Sequence, residues 1–255
     1  MDTEASNQSI KADTTLIADY LALCSQSPQL TARFARLLQS FGSLAALRQQ
    51  GASANWLDRH LHAHGIDEPG IEAALQWLES PAQHLVVFES DDYPARLREI
   101  DTPPPILFVA GDMSYLHQPA LAIVGSRRCS ISGSRNARWM AEQCCQRGLV
   151  IVSGLATGID ASAHRGTLAA GKPTIAVLGT GVEQIYPRGN RGLAAEIKSC
   201  GALVSEFPLG TPAYPANFPR RNRIVTGLSL GVLVAEAELK SGSLISARLA
   251  MGNAG

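Results

Sequence analysis

The chain has 255 residues, of which 45% are hydrophobic and 17% are charged, so it has enough apolar material for one large core or two smaller ones and is not expected to be disordered. Its polar first residues lack the basic and apolar regions of a signal peptide. No run approaches the roughly 18 apolar residues of a membrane helix, so a cytoplasmic protein is expected. The five cysteines show no C-x-x-C spacing, which predicts free thiols instead of disulfides or a zinc ribbon.

Charge is distributed unevenly along the chain, although the formal net charge is zero. Residues 1–119 contain 7 Lys and Arg against 15 Asp and Glu, whereas residues 120–255 contain 15 against 7. Most of the cations in the second part are Arg, the side chain suited to bidentate phosphate contacts and to stacking on bases. This asymmetry indicates either an anionic partner or a basic face that docks on the acidic part of the same chain.

Residues 1–80 are predicted to form a small helical domain, because their apolar residues recur at helical spacing. The segment LLQSFGSLAALR predicts a helix that ends at Gly42 and a second helix with Ser43 as its N-cap. This pattern is similar to helix-hairpin-helix and SAM-like modules, some of which contact DNA phosphates. The acidic charge of the segment favours a structural or partner-binding role.

Residues 81–119 read as a connector that contains two strands, HLVVFES and ILFVAGD, with a short helix at DYPARL and a Pro-rich stretch between them. From residue 120 onward, five short apolar strands alternate with helices. The predicted helices are Ser132–Arg147, Asp160–Ala170, Asn190–Ser199, Arg221–Leu228 and a last one from about Ser243. This alternation predicts a doubly wound α/β fold with a mainly parallel sheet.

The loops that follow these strands are rich in glycine and arginine. In a parallel sheet such loops meet at the carboxyl edge, where backbone N–H groups at helix starts favour anions. The sequence therefore predicts a phosphate-binding rim formed by GSRRCS, SGLATGID, GTGVEQIYPRGN, SEFPLGTPAYPANFPRRNR and AEAELKSGS.

Familiar nucleotide and catalytic motifs are missing from these loops. GTLAAGKP is one residue short of a Walker A box and runs from the end of a helix into a strand, whereas a P-loop joins a strand to a helix. Gly179-Thr-Gly181 is not continued to G-x-G-x-x-G. His164 lacks an identifiable nucleophile, so a structural histidine is favoured. Glu206 and Glu236 could hold a metal or act as bases, or could orient nearby Arg and backbone groups. No cofactor and no metal site are predicted.

Six segments taken together resemble the DprA/Smf family: GSR, SGLATGIDASAH, IYPRGN, SEFP, FPRRNRIVTGLS and SGSLISARLA, in this order and spacing. The resemblance covers about residues 84–251, and the DYPARL and PPPILFVAGD segments add to it. It implies an extended Rossmann-like sheet over residues 81–255, with 120–255 as its core, preceded by a SAM-like helical domain.

The resemblance further implies a protein without chemistry of its own that binds single-stranded DNA, without sequence specificity, for transformation or recombination. It would protect the strand, self-associate as a homodimer and help to load RecA recombinase. Arg127, in the GSR segment, is the first candidate for a phosphate contact. The candidate DNA- and phosphate-binding residues are Gly125, Ser126, Arg127, Arg128, Ser153, Gly154, Gly158, Gly179, Gly181, Arg188, Asn190, Phe218, Arg220, Arg221, Asn222, Arg223, Ser241 and Ser243.

The chain departs from the family pattern at its C-terminus, since family members continue with further strands and often a winged-helix domain. A truncated core is therefore expected, which puts the dimer and the RecA contact in doubt. Two alternatives remain: a nucleotide-binding sensor or nucleotide-processing enzyme of the same superfamily, and a protein-interaction scaffold with a vestigial phosphate pocket.

Overall fold

A computed structural model describes residues 14–24, 28–49, 55, 59 and 68–237. Four helices precede the sheet: α1 (Thr14–Cys24), α2 (Pro28–Phe41), α3 (Leu44–Arg48) and α4 (Glu68–Trp77). The predicted boundary between α2 and α3 is confirmed. Gly42 has a φ of +80°, and the Ser43 hydroxyl accepts a hydrogen bond from the Ala46 N–H as the N-cap of α3.

Seven strands form one mixed sheet in the order β1-β2-β6-β5-β4-β3-β7. The strands β3 to β7 are parallel to one another, and β1 and β2 are antiparallel additions at one edge. Their bounds are β1 (Gln83–Val87), β2 (Ile106–Gly111), β3 (Ala120–Gly125), β4 (Val150–Ser153), β5 (Thr174–Val177), β6 (Ala202–Ser205) and β7 (Gly231–Glu236). The predicted mainly parallel α/β sheet is confirmed.

The helices that follow β1 are α5 (Ala95–Arg98), α6 (Ile131–Gln146), α7 (Ile159–Ala169), α8 (Arg191–Cys200) and α9 (Asn217–Gly227), with 3₁₀ turns at Met113–His117 and Arg188–Asn190. The order of the strands explains on which face of the sheet the last four helices lie. The chain steps from β3 to β6 in one direction across the sheet, so right-handed crossovers place α6, α7 and α8 on one face. It then returns past β3 to β7, which places α9 on the opposite face, so the strand order reverses between β3 and β7 while the two strands stay parallel.

Helix α9 begins at Asn217, four residues before the predicted start at Arg221. The sequence predicted Pro219 in the loop, but it lies in the first turn of this helix. Proline is tolerated there because the backbone N–H groups of a first turn have no intrahelical acceptor. Phe218 therefore belongs to a helix and not to a loop.

One hydrophobic cluster joins the N-terminal helices to the sheet. It contains the buried Tyr20 and Phe34 of α1 and α2 together with Phe108 of β2. The ring of Trp77 packs edge-on against Phe108, with the ring centroids 5.8 Å apart. The division into domains at residues 1–80, 81–119 and 120–255 stays a prediction.

No helix in the described part of the chain is long and apolar enough to cross a membrane. All five cysteines lie among the described residues and are free thiols, as predicted. The predicted helix from about Ser243, with Ser241 and Ser243 as site residues, lies outside the described residues.

Candidate functional site

A small cleft of about 140 Å³ opens at the carboxyl edge of the parallel strands. The residues that line it come from three loops and from α9. The lining residues are Arg127, Gly154, Phe218 and Arg221, which were predicted, and Ala156, Thr157, Tyr186 and Pro187, which were not.

An arginine and two aromatic rings stack at the mouth of this cleft. The guanidinium carbon of Arg127 lies 5.3 Å from the centroid of the Phe218 ring, a cation–π distance. The Tyr186 ring lies on Phe218 with a centroid separation of 5.4 Å and an interplanar angle of 37°. Arg127 is exposed, and Tyr186 is 49% exposed, so the outer ring and the cation are both available to a ligand.

Glycine at position 179 gives the Phe218 ring its place. A Cβ atom at Gly179 would lie 2.8 Å from Phe218 Cδ1, closer than carbon atoms pack. The sequence predicted backbone contact with phosphate at this glycine. The structure shows that its lack of a side chain makes room for an aromatic ring.

Arg221 forms the floor of the cleft and is 3% exposed. Its Nη1 donates to the Gly154 carbonyl at 2.5 Å and also to the Val177 carbonyl, so one guanidinium ties the ends of β4 and β5 to α9. Burial lowers the pKa of Arg221 to about 10, and the negative charge of Asp160 opposes this effect. The side chain therefore remains a cation at pH 7.

The loop between β4 and α7 is held in a fixed shape below the stack. Leu155 has a φ of +58°, which is unfavourable for a branched side chain, and the Asn190 amide donates to the Leu155 carbonyl at 2.9 Å. Gly158 has a φ of +77°, and a Cβ there would lie 2.2 Å from the Ser126 carbonyl oxygen. The buried Asn190 and the glycine thus fix the loop that lines the cleft beside Arg127.

Several other predicted residues serve this loop geometry. Ser153 is buried and donates to the Ile123 carbonyl, and the Ser126 N–H donates to the Glu236 carbonyl. A Cβ at Gly125 would collide with the Ile159 side chain, and one at Gly181 would collide with the Glu183 carboxylate.

The two remaining arginines of the FPRRNR segment do not line the cleft. Arg220 and Arg223 both donate to Oε2 of Glu206, with Arg220 at 2.9 Å. Glu206 is 3% exposed. Glu206 therefore orients the two neighbouring arginines, which is one of the roles that the sequence left open for it.

Glu236, at the other end of the rim, orients backbone and hydroxyl groups instead of arginines. Its carboxylate accepts from the Ser130 N–H at 2.9 Å and from the Ser130 hydroxyl at 2.5 Å. These hydrogen bonds lower the pKa of Glu236. A Cβ at Gly133 would lie 2.1 Å from Glu236 Oε2, so the carboxylate covers the N-terminus of α6. This helix end lies beside β3 and β7, between which the strand order of the sheet reverses.

Three predicted residues surround the cleft without lining it. Arg188 and Arg128 are exposed, and Asn222 is half-buried on α9. Tyr186 is the main residue that the sequence analysis missed. It stands two positions before Arg188 in the IYPRGN segment, where an aromatic residue in a loop at the carboxyl edge was the available indication.

Together the fold and the site define a Rossmann-like α/β protein with a cationic, aromatic-lined cleft at the carboxyl edge of its sheet. Residues 84–254 match the family model described as DNA recombination-mediator protein A. The chain therefore belongs to the DprA/Smf family, as the sequence predicted.

Relatives in several bacteria agree with this assignment. Protein Smf of Escherichia coli is 46% identical over 214 residues, which are 84% of this chain and 56% of that protein. The DNA processing protein DprA of Streptococcus pneumoniae is 45% identical over 161 residues, 63% of this chain and 57% of that protein. The chain thus spans about half the length of the curated relatives it matches.

Two solved structures are similar to this fold. DprA from Streptococcus pneumoniae superposes with a TM-score of 0.76 at 32% identity, covering 92% of this chain and 82% of that one. The Helicobacter pylori protein, described for its single-stranded DNA binding mode, gives a TM-score of 0.61 at 33% identity, covering 67% of this chain and 77% of that one.

Proposed function

We propose that the chain binds single-stranded DNA without sequence specificity at this cleft and mediates recombination in the cytoplasm without catalysing a reaction. The observation that supports this most directly is the stack of Arg127, Phe218 and Tyr186 over a small cleft. A cation beside an exposed aromatic ring is what a sequence-tolerant single-strand binder needs, because every nucleotide offers a phosphate and a base face.

The dimensions of the cleft favour a strand over a free nucleotide. Pockets that enclose a small ligand usually measure about 300–1,000 Å³, whereas this cleft measures about 140 Å³. It has room for one phosphate group or the edge of one base, while the rest of the ligand stays outside.

The alternative function, a nucleotide sensor or nucleotide-processing enzyme, is less well supported, because the usual position for a nucleotide in this fold is covered by a carboxylate. Rossmann folds hold a pyrophosphate at a helix N-terminus beside the point where the strand order of the sheet reverses. Here that place is the N-terminus of α6, and the Glu236 carboxylate covers it. A second negative group there would be repelled.

The site residues divide into two roles under this proposal. The exposed Arg127 and Arg188 contact phosphates, and Tyr186 with Phe218 stacks on a base. Arg220, Arg221 and Arg223 hold α9, and with it the Phe218 ring, in place through Glu206 and the strand carbonyls. Ser126, Ser153, Asn190 and the predicted glycines shape the loops.

We also propose RecA recombinase as a protein partner and self-association as a homodimer. Membership of a family of recombination mediators supports the first proposal, and the second is carried over from the family resemblance alone. The measurements are the rate of RecA filament assembly on single-stranded DNA with and without the protein, and the molar mass of the protein in solution.

The central test is binding of a fluorescent single-stranded oligonucleotide across a salt series. The logarithm of affinity should fall linearly with the logarithm of salt concentration, by about 0.7 per phosphate contact. We expect Arg127→Ala to weaken binding and to reduce this slope by about 0.7, because one contact is lost.

Arg147→Ala is the matched control, since Arg147 is an exposed arginine at the far end of α6. We expect it to bind like the wild type. Absence of binding by the folded wild-type chain at low salt, together with binding of a nucleoside phosphate, would overturn the proposal in favour of the nucleotide sensor.

A further inference from the structure

Helix α6 presents a stripe of mostly exposed side chains that the cleft does not use, made of two arginines, two large apolar residues and one half-buried glutamate. We call Ile131, Arg135, Arg138, Trp139 and Glu142 the outer stripe. Successive helical residues advance by about 100°, so these five positions fall within an arc of about 100° along one side of the helix. Ile131 is 84% exposed and Trp139 is 58% exposed.

The opposite side of α6 accounts for the packing of the helix. Gly133, Ala137, Ala141 and Cys145 are buried and recur at every fourth position. Ile123 and Ile151 of the sheet belong to the same cluster as Ala137, Ala141 and Cys145. The outer stripe is therefore not part of the core, and its large side chains need another explanation.

The stripe keeps a net positive charge, because its two arginines outnumber its one glutamate. Arg135 and Arg138 are exposed, and within the described part of the chain neither forms an ion pair with a carboxylate within 4 Å. The same holds for Arg128, which precedes the helix. Arg128, Arg135 and Arg138, together with the exposed indole of Trp139, match a nucleic acid, which offers negative phosphates and flat bases.

The outer stripe is also continuous with the cleft. Arg127 stands at the mouth of the cleft, Arg128 is next in the chain, and α6 begins at Ile131. From there the helix descends along the sheet, away from the carboxyl edge. A strand that leaves the cleft past Arg127 meets the stripe at its first turn.

We infer that the outer stripe is a second contact surface for the same single-stranded DNA, with Trp139 as a stacking platform and Arg128, Arg135 and Arg138 as phosphate contacts. This inference rests on the proposed function of the cleft. Ile131 and Trp139 are about 12 Å apart along the helix axis. That length corresponds to about four nucleotides at the stacked rise of about 3.4 Å, or fewer when the strand is stretched.

The test compares oligothymidylates of about 3 and about 20 nucleotides. The shorter strand fills the cleft but is too short to span the stripe as far as Trp139 as well, whereas the longer strand reaches both. We expect Trp139→Ala to weaken binding of the long strand at least about fivefold, because stacking on one base is lost, and to leave the short strand unchanged. Arg135→Ala should reduce the salt slope for the long strand by about 0.7 and leave that for the short strand unchanged.

Three controls separate this inference from the proposal for the cleft. Trp139→Phe keeps an aromatic face and should restore long-strand affinity while removing the quenching of tryptophan fluorescence by the long strand. Arg147→Ala, on the same helix but outside the stripe, should bind both strands normally. Arg127→Ala should weaken both lengths.

Equal affinities of Trp139→Ala and the wild type for the long strand would overturn the inference and leave the stripe open to a protein partner. An equal loss for both strand lengths would also overturn it, because it would indicate damage to the fold. Failure of the wild type to bind either strand would instead contradict the proposed function of the cleft.

Discussion

His164 shows how one buried side chain is held in a single protonation state. Its Nδ1 lies 2.9 Å from the Thr174 hydroxyl oxygen, and that hydroxyl donates its own proton to the Ile151 carbonyl at 2.6 Å. Because a hydroxyl has one proton, His164 Nδ1 carries the hydrogen and donates it to Thr174. Among the described residues, Nε2 has no partner. Burial and the charges of Arg221 and Arg165 lower the pKa of His164 to about 3.

This environment predicts a loss of stability in mild acid. In the unfolded chain a histidine titrates near pH 6.5, whereas in the folded chain His164 stays neutral down to about pH 3. The unfolded state alone takes up a proton between these values, so the free energy of unfolding falls as the pH decreases below 6.5, by about 2 kcal/mol at pH 5. Urea unfolding of the wild type and of His164→Asn at pH 7 and pH 5 measures this.

His164→Asn keeps a donor for Thr174 but does not titrate in this range. Titrating carboxylates are shared by both proteins, so the difference between their pH profiles reports on His164. Parallel profiles would contradict the assigned protonation state.

At the scale of a secondary-structure element, α9 determines the position of the Phe218 ring. Its three arginines leave the helix in different directions: Arg221 reaches the strand carbonyls, and Arg220 and Arg223 share Glu206. The guanidinium groups of Arg220 and Arg223 and the carboxylate of Glu206 are largely buried. Removing the carboxylate would leave two buried positive charges without a negative partner.

We predict that Glu206→Gln destabilises the protein by about 3 kcal/mol, because it breaks a buried ion-pair group. At a temperature where the variant is folded, we expect weaker single-stranded DNA binding with an unchanged salt slope, since the phosphate-contacting arginines remain. Thermal unfolding and the salt series described for Arg127→Ala provide the measurements. A slope reduced by about 0.7 per arginine would instead show that Arg220 and Arg223 contact phosphates directly.

At the scale of the whole molecule, the N-terminal helices and the sheet share one hydrophobic core. Tyr20 and Phe34 belong to the same buried cluster as Leu107 and Phe108 of β2. Because helices and strands bury each other's apolar surfaces, neither part is expected to unfold alone under native conditions.

We therefore predict one cooperative unfolding transition, followed by both far-UV circular dichroism and tryptophan fluorescence. Phe34→Ala should lower the free energy of unfolding by about 3–5 kcal/mol, since Phe34 is fully buried. Amide exchange of the β4 residues should accelerate accordingly, although Phe34 lies in α2. Two separate transitions, with β4 exchange unchanged in Phe34→Ala, would support an independent domain over residues 1–80.

The sequence by itself was sufficient for the elements of the fold. Short apolar strands, helical periodicity and glycine at turns are local patterns, and they predicted all seven strands and the helices from α6 onward to within a few residues, apart from the start of α9. It also placed Arg127, Gly154, Phe218 and Arg221 in one site, because loops after parallel strands meet at one edge.

Only the tertiary structure decided which way each polar side chain points. The segment FPRRNR offers three arginines that look alike in sequence, yet one forms the cleft floor and two pair with Glu206, directly after β6 at the start of the same connection. Likewise, the place of Tyr186 beside Phe218 depends on the distance between a loop and the first turn of α9, which are remote in the chain. Such partners are set by packing between distant segments, and no local pattern contains that information.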